Sequence, residues 1–191
     1  MAVISDLGDR STCPHLLEEL MQIHKPECFA VTGGPGSGKT TLLAHLGACG
    51  IAIAPDNARA VIQAAGERPE PYHFCNLVLS RDVAAFHNAR GLTLFDRSLV
   101  DVWGMARVYR VELPDAHVAV RDLRLNRMAF VAPPWREVYR TDAERDQTWG
   151  DAVTAYEASV LAYQQAGYDL VELPRLDVAQ RAEFVIERIG L

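Results

Sequence analysis

Gly33-Gly34-Pro35-Gly36-Ser37-Gly38-Lys39-Thr40 is a complete phosphate-binding loop of the pattern G-x-x-x-x-G-K-[ST]. The backbone N–H groups of such a loop fold around a polyphosphate, Lys39 reaches its β and γ oxygens, and the Thr40 hydroxyl takes one position on Mg²⁺. The apolar run Cys28–Thr32 before it is typical of a buried parallel strand. Thr41 begins a helix whose N-terminus points at the anion. The predicted phosphate-binding residues are therefore Gly33 to Thr40 together with Thr41. The stretch therefore predicts a site for Mg²⁺ with ATP or another nucleoside triphosphate.

Composition limits the classes of function open to the chain. Its 191 residues are 49% hydrophobic and 23% charged, which is enough for one sizeable core. The net charge of −6 argues against a nonspecific nucleic-acid or membrane-surface binder, because either would need a basic face. The four cysteines and six histidines are scattered without metal-ligand spacing, and no signal segment or long apolar run is present. We expect a cytoplasmic protein, and nothing in the sequence indicates an oligomeric state.

Strand-like and helix-like patterns alternate along the chain. The predicted strands cover residues 28–32, 51–54, 92–95, 128–132 and 168–173. One predicted helix follows the phosphate loop, two more cover residues 56–65 and 72–90, and another begins at Leu99. A long helix is predicted to begin at a capping box at Thr141, and the last runs from a cap at Asp177 to Ile189. This alternation predicts an α/β, three-layer P-loop NTPase fold with a five-stranded parallel sheet, similar to nucleoside and nucleotide kinases.

One main domain is expected, with two less regular segments. Residues 28–191 are predicted to form the P-loop domain, with a lid segment at about 133–147. Residues 1–27 are predicted to be an N-terminal extension that carries a short helix from His15 to His24.

Asp96 and Arg97 end the third predicted strand, at the edge of the sheet where ligands bind. An acid at this point can hold Mg²⁺ directly or through water, so Asp96 joins Thr40 as a predicted metal ligand; the alternative is an ordinary turn aspartate. Hydrolytic motor ATPases usually carry a water-orienting Glu after that Asp, but here the next residue is Arg97. An Asp-Arg pair suits a small-molecule kinase, in which Arg97 acts catalytically on an anionic substrate or the transferring phosphoryl group.

Asp56 is a second acid at a strand end. In a kinase, a carboxylate there can accept the proton of the acceptor hydroxyl as a general base. The alternative is a plain helix N-cap, and one aspartate can do both. Arg59, one turn later, either binds substrate or pairs with Asp56.

Three arginines follow the fourth predicted strand, where phosphotransferases often place a closing lid. Their guanidinium groups would stabilise transition-state charge and exclude water. Interleaved acids leave open the alternative of a solvated face. The candidate lid residues are Arg136, Arg140 and Arg145.

From about residue 28 to 190 the chain resembles small AAA-like P-loop ATPases of bacteria that are grouped with the ribosylnicotinamide kinase module of bifunctional NAD-regulator proteins. The phosphate loop is widely shared, so the later stretches carry the resemblance. They are Pro55-Asp56 with Arg59, where the family usually has Glu at position 56; Asp96-Arg97 with Asp101 and Gly104; and Ala132-Pro133-Pro134-Trp135 with Tyr139 and Asp142-Ala143-Glu144-Arg145. The resemblance implies an NTP-dependent fold and a kinase-like site.

The residues together predict transfer of the γ-phosphoryl group of a Mg²⁺-bound NTP to a small metabolite. Lys39, Asp56 and Arg97 are the predicted catalytic residues, and Arg59 and Asp101 are predicted to bind the acceptor. Two alternatives stay open. One is an NTP hydrolase, in which Asp56 would orient water, and the other is a nucleotide-binding regulatory module with little turnover.

Overall fold

A five-stranded, fully parallel sheet forms the centre of the structure, a computed structural model that describes residues 22–138 and 148–191. The bounds of its strands are β2 Cys28–Gly33, β3 Ala52–Ala54, β4 Thr93–Asp96, β6 Met128–Ala132 and β7 Asp169–Glu172. Across the sheet they stand in the order β3-β4-β2-β6-β7. The five strands predicted from the apolar runs are confirmed, with ends that differ by at most one residue.

Seven helices are described, and they cover both faces of this sheet. Their bounds are α1 Lys39–Ala48, α2 Asn57–Ala65, α3 Pro71–Asn88, α4 Leu99–Val108, α5 Pro114–Asp122, α6 Trp149–Gln165 and α7 Val178–Ile189. None of the helices within the described ranges combines the length and the apolar character that a membrane span requires.

Alternate residues of β2 show how the layers form. Phe29 and Val31 pack in one buried cluster with residues of α1 and α7. Cys28 and Ala30 pack in the other, with residues of α2 to α6. Because successive side chains of a strand point to opposite faces, two apolar clusters on one strand require helices on both sides. The predicted three-layer α/β architecture is confirmed.

Three elements depart from the sequence-based predictions. A second, two-stranded parallel sheet joins β1, Ile23–Lys25, to β5, Leu123–Leu125. The end of the predicted helix from His15 to His24 is therefore wrong, because backbone pairing with β5 holds this stretch extended; residues 1–21 lie outside the described ranges. Neither α5 nor β5 was predicted.

The long helix α6 begins at Trp149 rather than at Thr141. Thr148 is its N-cap in extended conformation, and it forms a reciprocal capping box with Asp151. This box uses the same cap chemistry that the sequence offers at Thr141 seven residues earlier, so the pattern alone did not distinguish the two starts. Residues 139–147, which include Thr141, lie outside the described ranges.

The strand order places the ligand site. From β2 the chain moves to the edge strand β3, returns to β4 beside β2, and then crosses to β6 on the other side of β2. Ligands of open α/β sheets bind beyond the carboxyl ends of the strands, at the point where the order reverses. Here that point is the end of β2, where the phosphate loop begins.

Candidate nucleotide and acceptor site

The phosphate loop joins β2 to α1 and lies against the end of β6. A Cβ atom placed on Gly33 would stand 2.3 Å from the carbonyl oxygen of Ala132, so no larger residue fits where the loop leaves the sheet. The loop then turns through Gly36 and Gly38, both of which have positive φ angles. Backbone contact with β6 and the glycine conformations together give the loop its curved shape.

Lys39 is buried beneath this loop. Its Nζ donates to the carbonyl oxygens of Gly33 and Gly34, at 3.0 and 2.7 Å, and to Oγ of Ser37 at 3.2 Å. Burial lowers the pKa of Lys39 to about 7, and the positive charge of Arg97 acts in the same direction, against the nearby carboxylates. A bound polyphosphate would supply the negative charge that favours the ammonium form.

Thr40 and Asp96 meet at the start of α1 and the end of β4. The Thr40 hydroxyl lies 3.5 Å from Oδ2 of Asp96. Oδ1 of Asp96 is buried without a hydrogen-bond partner, and burial raises the pKa of this carboxyl. Among the described residues no cluster of three or more acids, histidines or cysteines forms an all-protein cation site. One free carboxylate oxygen and one hydroxyl beside a phosphate loop are nevertheless the donor set that Mg²⁺ uses when it is bound together with substrate phosphates, so the residues fit this ion.

Arg97 sits between two carboxylates that face the same cleft. Its Nε lies 3.5 Å from Oδ2 of Asp56, and its Nη1 lies 3.3 Å from Oδ1 of Asp101. Burial alone would lower the pKa of Arg97, but the nearby carboxylates together outweigh it and raise the pKa, so the residue stays a cation. The residue adopts a left-handed backbone conformation with φ 72°, which is rare outside glycine and costs free energy. The strand-end turn thus holds Arg97 in a fixed direction despite this cost.

Asp56 uses its two oxygens differently. Oδ1 accepts the backbone N–H groups of Ala58 and Arg59 and caps α2, as one of the two sequence-based interpretations proposed. Oδ2 faces Arg97. The cap therefore leaves one oxygen directed toward the cleft, so this geometry is compatible with both a helix cap and a general base at Asp56.

Asp101 is surrounded by donors from three parts of the chain. Oδ1 accepts from the hydroxyl groups of Thr32 and Ser159, and Oδ2 accepts from Tyr163 and from the backbone N–H of Ser98. With Arg97 added, each oxygen of this buried carboxylate is fully occupied within the protein. Asp101 thus links β2, α4 and α6 behind Arg97. Its predicted role in binding the acceptor stays a prediction.

Asp82 is a candidate that the sequence-based interpretation missed. It is 9% exposed, and Oδ1 accepts from Nδ2 of Asn57 at 2.7 Å, its only partner among the described residues. Burial raises its pKa to about 7, and Asp101 and Asp56 act in the same direction. The sequence did hold a signal, because Asp82 continues the i, i+4 stripe of Phe74 and Val78 on α3 and is the only acid on it.

These side chains line one open cleft of about 1250 Å³. It is larger than the roughly 300–1,000 Å³ of a site for one small ligand. The phosphate loop, Arg97 and the acids Asp56, Asp82, Asp96 and Asp101 belong to its polar lining. The apolar lining comes from α2, α3, α4 and α6, and it includes Ile62, Phe74, Val78, Val102, Met105 and Tyr109. The cleft has room for a nucleotide and a second small molecule.

The remaining predicted residues lie at different distances from the cleft. Pro35 to Thr41 and Arg59 line it. Arg136 is exposed, with its guanidinium 5.7 Å from the ring of Trp149. Arg140 and Arg145 fall outside the described residues, so the lid at about residues 133–147 stays a prediction.

A family model described as an AAA domain matches residues 28–181. The chain belongs to this family. The match begins at the first residue of β2 and includes every cleft-lining acid described above. No curated protein sequence matches the chain.

Solved structures of three other proteins superpose on this fold. The NadR protein in complex with NR superposes with a TM-score of 0.69 at 18% identity; the match covers all of this chain and 62% of that one. Deoxyadenosine kinase from M. mycoides with bound dCTP gives 0.60 at 15% identity, over 85% and 98% of the two chains. Shikimate kinase from Bacteroides thetaiotaomicron gives 0.55 at 14% identity, over 86% and 98%. At these identities the likeness establishes the fold, and this chain spans less than two thirds of the NadR chain.

Proposed function

We propose that this protein transfers the γ-phosphoryl group of Mg-ATP to a hydroxyl group of a small, nucleoside-like metabolite. The observation that carries the proposal is the Asp56–Arg97 pair, which faces a two-ligand cleft beside the phosphate loop. A carboxylate next to a fixed guanidinium can take a proton from an acceptor while the guanidinium meets the transferring phosphoryl group. The fold shared with kinases of small molecules supports the same class of reaction.

In this reaction the loop N–H groups and Lys39 hold the polyphosphate, and Thr40 and Asp96 hold Mg²⁺. When bound, Mg²⁺ neutralises charge on the β- and γ-phosphate oxygens. Arg97 contacts the transferring phosphoryl group. A bond forms between the acceptor oxygen and the γ-phosphorus, the bond from the γ-phosphorus to the β–γ bridging oxygen breaks to release ADP, and the hydroxyl proton goes to Oδ2 of Asp56.

The other end of the cleft suits an acceptor with a flat apolar body. Phe74, Val78 and Met105 offer apolar contact, and Tyr109 carries a hydroxyl that accepts from Arg68 at 2.9 Å. Asp82 offers a carboxylate oxygen for an N–H or O–H group of the acceptor. An aromatic base joined to a hydroxyl-bearing sugar has both features, which supports a nucleoside-like acceptor over a purely aliphatic one.

Hydrolysis is the second candidate, and Asp56 is the observation that favours it. The same Oδ2 that would take a proton from an acceptor can orient a water molecule in its place. In a hydrolase the apolar cleft would stay empty during turnover. A protein that binds nucleotide with little turnover is the third candidate.

The test measures ADP formation from Mg-ATP with and without a panel of nucleosides, ribosides and shikimate-like alcohols. We expect at least one aromatic riboside to raise ADP formation at least tenfold above the rate without acceptor, and Lys39→Ala to abolish the increase. Equal rates with and without every acceptor would point to a hydrolase. ATP binding without ADP formation would point to the regulatory module.

A further inference from the structure

Arg181 on α7 lies against the outside of the phosphate loop. It is 4% exposed, and its Nη2 donates to the carbonyl oxygen of Ser37 at 3.4 Å. A Cβ placed on Gly38 would stand 2.8 Å from Nη1 of the same guanidinium. Its helix is fixed there because Ala182 and Val185 belong to the buried cluster that also contains the leucines of α1. The guanidinium therefore borders the Ser37–Gly38 part of the loop.

This guanidinium has little compensation for its charge. Within the described ranges the single long bond to Ser37 is its only side-chain hydrogen bond, and no carboxylate pairs with it. Its Nε is buried without a partner, and burial lowers its pKa. A guanidinium carries five N–H donors, and a buried charge without a counter-charge costs free energy.

A purely structural brace does not explain this arrangement. Replacing a buried charge with a well-packed apolar side chain of similar size is often neutral or stabilising, so the fold itself gains little from an arginine here. What the position does offer is contact with the peptide of a loop that binds polyanions. A bound polyphosphate would supply the negative charge that Arg181 lacks in the protein alone.

We propose that Arg181 is a positioning residue for the nucleotide: it holds the Ser37–Gly38 peptide in the anion-binding conformation and contributes a positive charge that the polyphosphate compensates. This inference rests on the proposed binding of nucleotide at the loop, and it adds a residue from the last helix to that site. It requires charge at position 181, so lysine should substitute in part and methionine should not.

The test compares wild type, Arg181→Lys and Arg181→Met for binding of Mg-ATP and of inorganic tripolyphosphate, and for thermal unfolding with and without them. For Arg181→Met we expect roughly tenfold or more weaker binding of both ligands, because one charge-assisted contribution is lost. The ATP affinity of this variant should also change less with salt concentration than that of wild type. Arg181→Lys should recover part of the affinity that Arg181→Met loses.

Thermal unfolding separates the inference from a structural role. Without ligand, Arg181→Met should unfold at the same temperature as wild type or a higher one, while the increase caused by ATP should shrink. Arg188→Met is the matched control, since Arg188 is an exposed arginine on the same helix that packs over Phe184.

Two results would overturn the inference while leaving the proposed function intact. One is wild-type affinity for ATP in Arg181→Met; the other is a lower unfolding temperature without ligand together with an unchanged response to ATP. If wild type binds neither ATP nor tripolyphosphate, the proposed function itself is wrong, and the inference fails with it.

Discussion

At the scale of single residues, the buried Lys39 makes nucleotide binding depend on pH. Its pKa of about 7 means that at pH 8 most of the protein carries a neutral amine under the loop. A polyphosphate favours the charged form, so binding at pH 8 should take up a proton, and ATP affinity should fall by up to about tenfold per pH unit above pH 7. Calorimetry in buffers of different ionisation enthalpy measures this uptake directly.

The control for this prediction is Lys39→Arg, which stays charged throughout this pH range. Its ATP binding should be weaker, because the longer side chain does not fit the same three oxygens, and it should take up no proton through this position. Binding of ATP to wild type at pH 8 without uptake of a proton would contradict the prediction.

Asp82 gives a second pH-dependent prediction, for stability. Its pKa is about 7 in the folded protein and about 4 in an unfolded chain, so between these values the folded state binds the proton more strongly. The free energy of unfolding therefore falls as pH rises from 5 to 8. Asp82→Asn removes this penalty while keeping an acceptor oxygen for Asn57. We expect the difference in free energy of unfolding between the variant and wild type to shift by about 2–3 kcal/mol in favour of the variant as the pH rises from 5 to 8.

Urea denaturation at the two pH values measures this gain, and Glu183→Gln at an exposed position of α7 reports the general effect of removing one negative charge. A stability difference between Asp82→Asn and wild type that is independent of pH would show that Asp82 does not titrate in this range.

Asp56 can be tested so that its cap and its proposed chemistry separate. Asparagine caps helices as well as aspartate does, so Asp56→Asn should retain stability, whereas Asp56→Ala should lose about 1 kcal/mol. Neither variant keeps a proton acceptor, and acceptor-dependent turnover should fall by roughly 10²–10⁴-fold in both. Denaturant melts and ADP formation are the two measurements. Normal turnover in Asp56→Asn would limit this residue to its cap.

The sequence predicted the parts of the site that are local in the chain. The phosphate loop, Asp96-Arg97 and the cap at Asp56 are each defined by neighbours within a few residues, and the structure places them in one cleft. Asp82, Asp101 and Arg181 depend on contacts with residues 25 or more positions away, such as Asn57, Tyr163 and Ser37. No short pattern encodes such a contact, so their surroundings emerged only from the fold.

At the scale of elements, the contact between α4 and α6 supports the cleft wall. Gly104 lies at a tight point of this contact, since a Cβ there would lie 3.1 Å from the Cβ of Ala162 and 3.4 Å from the carbonyl oxygen of Ala158. Gly104→Val should separate the helices and lower the free energy of unfolding by about 1–3 kcal/mol. Acceptor-dependent activity should fall with it, because Asp101 lies on the same helix and bonds to α6.

Gly150→Ala is the matched control within α6. A Cβ at Gly150 meets nothing closer than 3.6 Å, so helix propensity alone should stabilise this variant by about 0.5–1 kcal/mol. Chemical denaturation of both variants checks the pair. Equal stability of Gly104→Val and wild type would contradict the close packing of α4 against α6 at Gly104.

Elements differed in how well the sequence predicted them. The inner strands β2, β4 and β6 are buried on both faces and appear as largely continuous apolar runs, so their positions were clear. The three-residue strands β1 and β5 carry no such run, and they form only because distant segments pair. The predicted cap of α7 at Asp177 and its predicted end at Ile189 are both confirmed, and the structure adds that Gly190 ends the helix in a left-handed conformation.

At the scale of the whole molecule, the order of the parallel strands brings the loop after β2, the acid after β3 and the Asp-Arg pair after β4 to one edge of the sheet. Helices α2, α3, α4 and α6 then form the apolar wall of the cleft beside the phosphate loop. In the proposed reaction, this arrangement separates a donor end, which the sequence defines closely, from an acceptor end whose chemistry is set by tertiary packing. The central claim is that the phosphoryl group moves from one end to the other.

The most direct test follows the γ-phosphorus itself. Wild-type protein is incubated with Mg²⁺, ATP radiolabelled at the γ-phosphorus and a panel of nucleosides and ribosides, and the labelled products are separated. We predict that the label passes to an organic acceptor as a phosphate ester, that inorganic phosphate stays a minor product, and that Lys39→Ala forms neither. Release of the label only as inorganic phosphate, at a rate that no acceptor changes, would contradict the account.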